Sequence, residues 1–270
     1  MKTEAFCPSY ITGLFYIGEG DAAGAGFAID RGMRTAVETA KSGATKITIN
    51  GSESAAPVSK VVLRKFSEVA GKVGLLHITH ETDIPIGYGC GMSAAGALSL
   101  SLALNELLGC GLSREKCVKI AHDADVECGT GLSGADASAI GGILARRSVK
   151  DGVAKLPFEE KEIEVAFYAP IKTSSIIATE EWKLKVNAAG EKSLALLFKK
   201  KKWDSLVEAS RMFAYESGLA DWCRQEMDEN SRASMAMLGK TLFSDAPMKL
   251  NKAPMRMLKA KTCKEGARVL

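Results

Sequence analysis

The sequence predicts an α+β protein built as two unequal halves with a cleft between them, and three observations carry that prediction. Short β-branched or alternating runs are interleaved with helical stretches over the first half, glycine clusters stand at the joints, and a second set of strand and helix patterns follows the turn Lys150-Asp151-Gly152. Residues 10–17 and 25–31 read as strands around the joint Gly18-Glu19-Gly20-Asp21, and residues 33–39 and 45–50 as two more strands. Ser59 to Gly71 carries Val61, Val62, Phe66 and Val69 at helical spacing. A strand is expected over Gly74–Thr82, a loop over Asp83–Met92 and a helix over Ser93–Leu108, after which Ser113 N-caps a helix reaching about Glu127. Beyond the turn, Ile163–Ala169 is a strand, and 203–217 and 219–238 read as two amphipathic helices. The expected division is residues 1–155 and residues 156–270, with the active site between them.

Composition narrows the function. At 270 residues, 46% hydrophobic and 25% charged, the chain can bury a core. A net charge of +4 suits a small anionic substrate and is too weak for a nucleic-acid binder. The basic run Lys199-Lys200-Lys201-Lys202 reads as a solvated loop or helix start. Seven cysteines stand at irregular spacings with no CxxC pair, which argues against a disulfide scaffold or zinc ribbon and for thiols in a reducing compartment. The first residues hold no apolar signal core, and the stretch Ser93–Leu108 is too short and too polar to span a bilayer. A cytoplasmic protein with no nucleic-acid or membrane partner is expected; the oligomeric state is left open, a homodimer included.

The most informative stretch is Asp83-Ile84-Pro85-Ile86-Gly87-Tyr88-Gly89-Cys90-Gly91-Met92-Ser93-Ala94-Ala95. A strand runs into alternating glycines and then a helix start. Glycines let backbone N–H groups approach a ligand, and the first helical turn presents unpaired N–H groups at the positive end of the dipole. Together they make a phosphate cradle. A Walker loop is excluded, because no lysine follows the glycines. Gly89, Gly91 and Ala94 satisfy the dinucleotide pattern GxGxxA, but Pro85 and Tyr88 interrupt the strand-to-glycine join, and the acid expected on a second strand has no counterpart around Gly109–Gly111.

Pro85, Gly87, Gly89, Gly91, Ser93, Ala94 and Ala95 resemble the phosphate-binding motif of the GHMP kinases. Downstream, Ser133, Gly134 and Asp136 resemble the same family's Gly-x-Pro-Ser-Gly-x-Asp loop, with Leu132 in place of proline. Phe6–Phe15, Gly24–Gly32 and Thr130-Gly131-Leu132 are similar to the archaeal pantoate kinases within that family. The resemblance implies the GHMP kinase fold, with an N-terminal α+β domain and a C-terminal ferredoxin-like α+β domain. It also implies ATP and Mg²⁺ as cofactors and pantoate as the small-molecule substrate, phosphorylated on its primary hydroxyl. Pro85, Gly87, Gly89, Cys90, Gly91, Met92, Ser93 and Ala94 would hold the nucleotide. Ser93 and Asp125 would hold the metal, with Glu127 as the alternative acid.

Asp136 would orient or deprotonate the hydroxyl, presented on a glycine-rich loop; read alone it is equally a turn or N-cap residue. His122 and Arg146 would hold the carboxylate and hydroxyls, with Arg147 as the alternative cation. His122 and Asp125 are three residues apart on one helix face, and Glu127 points elsewhere. There are departures from the family pattern. Tyr10 stands where the mevalonate kinase branch has lysine, and the third glycine-rich motif is reduced to Ser234-Met235-Ala236-Met237-Leu238-Gly239. Three rivals remain: a kinase for shikimate, homoserine or mevalonate, an NAD-linked oxidoreductase, and a catalytically silent binder.

Overall fold

The computed structural model describes residues 1–18, 22–71, 73–131, 134–171 and 180–270. Two antiparallel-rich sheets organise it. The first is built on a long hairpin of β1 (Lys2–Ile17) and β2 (Ala22–Thr39). It continues through β5 (Leu76–Glu81) to β3 (Lys46–Ile49) and β4 (Ser52–Glu53), with β6 (Ile143–Arg146) and β7 (Ala154–Lys155) branching from β2. All these pairings are antiparallel except β3 with β5. The second sheet has the order β11-β8-β10-β9, comprising β8 (Glu162–Ala169), β9 (Ala233–Met235), β10 (Lys240–Ser244) and β11 (Arg256–Lys261). The last strand, β12 (Arg268–Val269), returns to pair with β1.

Residues 25–31 and 33–39, read from the sequence as separate strands, are parts of one 18-residue strand. The turn-like Asp30-Arg31-Gly32 is a bulge: Pro8 pairs with Gly32 but Ser9 pairs with Ile29. Glycine is required at 32, because a Cβ there would sit 2.1 Å from the Cys7 carbonyl oxygen. The joint residues Glu19, Gly20 and Asp21 lie outside the described residues.

Helix α1 (Pro57–Ala70) starts on a proline, whose fixed φ and missing N–H suit a first turn. Helix α2 (Met92–Leu108) is buried on nearly every side, which its run of Ala, Gly and Ser allows by letting β1, β2 and α3 (Arg114–Glu127) approach closely. Ser113 caps α3 as expected, its Oγ accepting from Lys116 N. Then come α4 (Gly134–Ile140), α5 (Glu180–Lys199), α6 (Trp203–Glu216) and α7 (Arg224–Glu229).

The helix expected over 219–238 does not form. A 3₁₀ turn (Leu219–Trp222), the short α7 and β9 occupy that span. The Arg211 guanidinium donates to the carbonyls of Met227 and Asn230, both at 2.8 Å, and of Ala233, while the Asn230 amide donates to Lys249 O at 2.8 Å. These tertiary bonds turn the chain out of the helix and into the sheet, overriding its periodicity. Helix α5 went unread in the sequence, although Val186, Ala189, Gly190, Ser193, Leu194 and Leu197 bury at helical spacing. It docks on the end of β1, where the Asn187 side chain accepts from Ile17 N and donates to Ile17 O, both at 2.8 Å.

Aromatic packing joins the two sheets. Trp203, fully buried at the start of α6, stands edge-on to Phe27 of β2 at 4.9 Å, and Phe27 in turn meets Phe243 of β10 at 5.1 Å. The indole N–H donates to Asp245 Oδ2 at 2.6 Å, so the polar atom is satisfied. Trp203→Ala should therefore lower stability by about 3–5 kcal/mol, read as a shift in urea midpoint. A loss below 1 kcal/mol would show that the seam does not depend on this ring.

Candidate active site

The segment Asp83–Gly91 is a loop between β5 and α2, and its backbone needs its glycines. Gly87, Gly89 and Gly91 have φ of 88°, 82° and 64°, in the left-handed region that side chains avoid. Gly91 stands at the helix N-cap with no side-chain cap, so the first-turn N–H groups of α2 are left for a ligand. Gly89 lies against the chain that precedes β10: a Cβ would come within 2.6 Å of Gly239 N, and a Cβ on Gly239 within 2.0 Å of Tyr88 O. Met237 N donates to Thr12 O at 2.9 Å, and Thr241 Oγ1 donates to Tyr88 O at 2.7 Å.

A cavity of about 170 Å³ opens over this loop, lined by Gly87, Gly89, Cys90, Gly91, Met92, Ser93 and Ala94. Pro85 precedes it and does not line it. The Cys90 thiol is buried, which pushes its pKa up to about 12, so it stays protonated. Thr12, Met237 and Leu238 also line the cavity; the sequence places them in family-like segments without giving them a site role.

Ser93 and Asp125 meet at the cavity floor, where Ser93 Oγ donates to Asp125 Oδ1 at 2.5 Å. Thr130 completes the group. Its Oγ1 lies 2.5 Å from Asp125 Oδ1 and 2.9 Å from Ser93 Oγ. Asp125 is 3% exposed, and among the described residues no ion pair reaches it. A buried carboxylate held, among the described residues, by hydroxyls fits a cation that also touches phosphates. Glu127, the alternative acid, is not brought here. It points outward, accepting two bonds from Arg64 Nη2 at 2.6 and 2.7 Å and pairing with Lys65 at 3.4 Å.

A second cavity of about 650 Å³ adjoins the first, and Tyr10, Thr12, Phe15 and Ala22 line both. It contains His122, Asp136, Arg146 and Lys119. Asp136 belongs to the first turn of α4 and not to a loop; His122 Nδ1 lies 3.0 Å from its Oδ2. Leu132 and Ser133, part of the same sequence motif, lie outside the described residues. Arg146 ends β6 with Nε donating to Asp151 O at 2.9 Å, Nη1 to Ala22 O at 3.2 Å and Nη2 to Val149 O. Arg147 faces away, its guanidinium 6.0 Å from the Phe198 ring centroid. The Tyr10 phenol, buried with its pKa pushed far up, donates to Leu144 O at 3.4 Å and adds no charge to the wall.

On the far side of the glycine loop a third, largely apolar cavity of about 510 Å³ runs between α1 and the start of α2, with Met33, Val58, Ile86 and Met92 in its walls. His80 borders it. The ring is 2% exposed, with Nδ1 2.8 Å from Thr35 Oγ1 and Nε2 3.0 Å from Ser59 Oγ.

Residues 57–145 match the family described as GHMP kinases N terminal domain. The pantoate kinase of Methanocaldococcus jannaschii is 32% identical over 254 residues, covering 88% of this chain and 90% of that protein. The pantoate kinase of Methanospirillum hungatei is 29% identical, covering 90% of this chain and 87% of its own length. A solved structure described as a phosphotransferase related to the CoA biosynthesis pathway superimposes with a TM-score of 0.81 at 24% identity, over 100% of this chain and 98% of the other. Among the described residues no helix is long and apolar enough to cross a membrane.

The His80 network generates a pH prediction. Burial lowers its pKa from 6.5 to about 4, so between these values the unfolded chain takes up a proton that the folded chain refuses. The stabilising neutral imidazole counts fully above about pH 6.5, and its contribution is lost as pH falls toward 4. At roughly 1.4 kcal/mol per pH unit, the native protein should lose about 2 kcal/mol more than His80→Gln between pH 7 and 4.5. Parallel urea midpoints for the two proteins would show the ring to be indifferent.

Proposed function

We propose that this chain, which belongs to the pantoate kinases of the GHMP kinase family, transfers the terminal phosphoryl group of ATP to the primary hydroxyl of pantoate, giving 4-phosphopantoate for coenzyme A synthesis. The observation that carries the reading is the junction of two cavities: one lies over a glycine-lined helix N-terminus, the other holds His122, Asp136 and Arg146, and Tyr10 and Thr12 form their common wall.

The backbone amides of Gly89 to Ala94 bind the phosphates, and the apolar cavity between α1 and α2 takes the base of the nucleotide. Mg²⁺ would be held by Ser93 and Asp125 and would neutralise charge on the phosphate oxygens. Asp136 accepts the hydrogen bond of the acceptor hydroxyl and takes its proton as the new O–P bond forms and the bond to the nucleoside diphosphate breaks. His122 holds Asp136 through its Nδ1 and offers the rest of the ring to the substrate. Arg146, stationed at the cavity wall by three carbonyls, supplies the positive charge that favours a carboxylate. On this reading residues 1–155 contribute every group assigned to nucleotide, metal and hydroxy acid. Residues 156–270 brace the loop through Met237 to Gly239.

A panel of acceptors tests the substrate. With ATP and Mg²⁺, kcat/KM for pantoate should exceed that for pantothenate, mevalonate, homoserine and shikimate by at least ~10²-fold, since a neutral amide forfeits the charge-assisted hydrogen bonds that a guanidinium makes with a carboxylate. Asp136→Asn should lower kcat by about 10²–10⁴ with little change in nucleotide affinity by calorimetry. Faster turnover of another acid would displace pantoate, and full activity in Asp136→Asn would remove that residue from the chemistry.

A further inference from the structure

We propose that Thr130 supplies a third protein oxygen to the cation site of Ser93 and Asp125, an inference that rests on the metal assignment above. Thr130 follows the end of α3 and is fixed from two directions. Its N–H donates to Asp125 O at 3.0 Å, and Gly131 beyond it passes so close to the carboxylate that a Cβ there would lie 2.1 Å from Asp125 Oδ2. The backbone thus walls off one carboxylate oxygen and aims the Thr130 hydroxyl at the other.

The three oxygens form a compact triangle. Ser93 Oγ and Thr130 Oγ1 are 2.9 Å apart, and each is 2.5 Å from Asp125 Oδ1. Mg²⁺ binds oxygens at 2.0–2.1 Å in an octahedron, which sets neighbouring ligand oxygens roughly 2.9 Å apart. The Ser93–Thr130 edge already has that length. The two edges to Asp125 are shorter because a hydroxyl proton lies in each, and they lengthen when a cation takes the carboxylate. The Thr130 proton then has a second acceptor at hand in Asp125 O, at 3.1 Å. One face of an octahedron is thereby built from one carboxylate and two hydroxyls, leaving the opposite face for phosphate oxygens and water.

A rival role for Thr130 is that of a helix C-terminal cap, which would affect folding and leave metal affinity unchanged. Mg²⁺ binding in the presence of a saturating non-hydrolysable ATP analogue separates the two, followed by calorimetry with a thermal melt of each variant. Thr130→Val should raise the Mg²⁺ Kd at least ~tenfold, while Thr130→Ser stays within about threefold of the native protein. Thr130→Cys should lose Mg²⁺ as the valine variant does, yet gain Cd²⁺ affinity relative to Mg²⁺, because a thiolate ligand is soft. A hydroxyl that only caps the helix gives no such reversal.

Ser93→Ala is measured alongside. If Ser93→Ala weakens Mg²⁺ and Thr130→Val does not, the third oxygen is refuted and the two-residue site stands. If neither variant changes Mg²⁺ affinity, the metal assignment falls together with this inference.

Discussion

The active-site geometry depends on one contact in which main chain meets main chain. The peptide of Tyr88 and Gly89 rests against Gly239 so closely that neither glycine can carry a side chain. This contact locks the loop from β5 to α2 against the turn that precedes β10, and hydrogen bonds from Met237 N and Thr241 Oγ1 reinforce it. A loop that presents backbone N–H groups has no side chains to adjust its shape. It must be held by its neighbours, and the second sheet provides that hold. The Trp203–Phe27–Phe243 seam serves the same end at longer range, keeping the two sheets in the register that lets Gly89 and Gly239 touch.

The part of the site that the sequence displays is the part whose chemistry is local. Alternating glycines before a helix can be read because positive φ and unpaired helical N–H groups follow from residue type within a few positions. Ser113 could be placed for the same reason. The acid pair was harder. Asp125 and Glu127 are both credible from spacing, and what separates them is Arg64 and Lys65, which lie on a different helix and draw Glu127 to the outside. Thr130 could be quoted within a motif but not given a role, because its partners are five and 37 residues away.

The second half was less legible because tertiary contacts decide its local structure. Arg211 and Asn230 end a helix that periodicity extends, and their partners lie across the fold. In α5 the buried positions do follow helical spacing, but Asn187 and Gly190 break its apolar stripe. Those two residues make its most specific contacts, with Asn187 imitating a neighbouring strand at Ile17 and Gly190 admitting the Phe15 carbonyl. A residue that looks like an interruption in a pattern is here the docking point.

Helix α3 faces both cavities from one rigid element, with His122 in the larger cavity and Asp125 in the one over the glycine loop. Three residues of α-helix advance about 4.5 Å along the axis, so His122 and Asp125 enter neighbouring cavities from within one turn of one helix. On the reading proposed above, one rigid element carries both half-sites, and their separation is fixed by the helix itself.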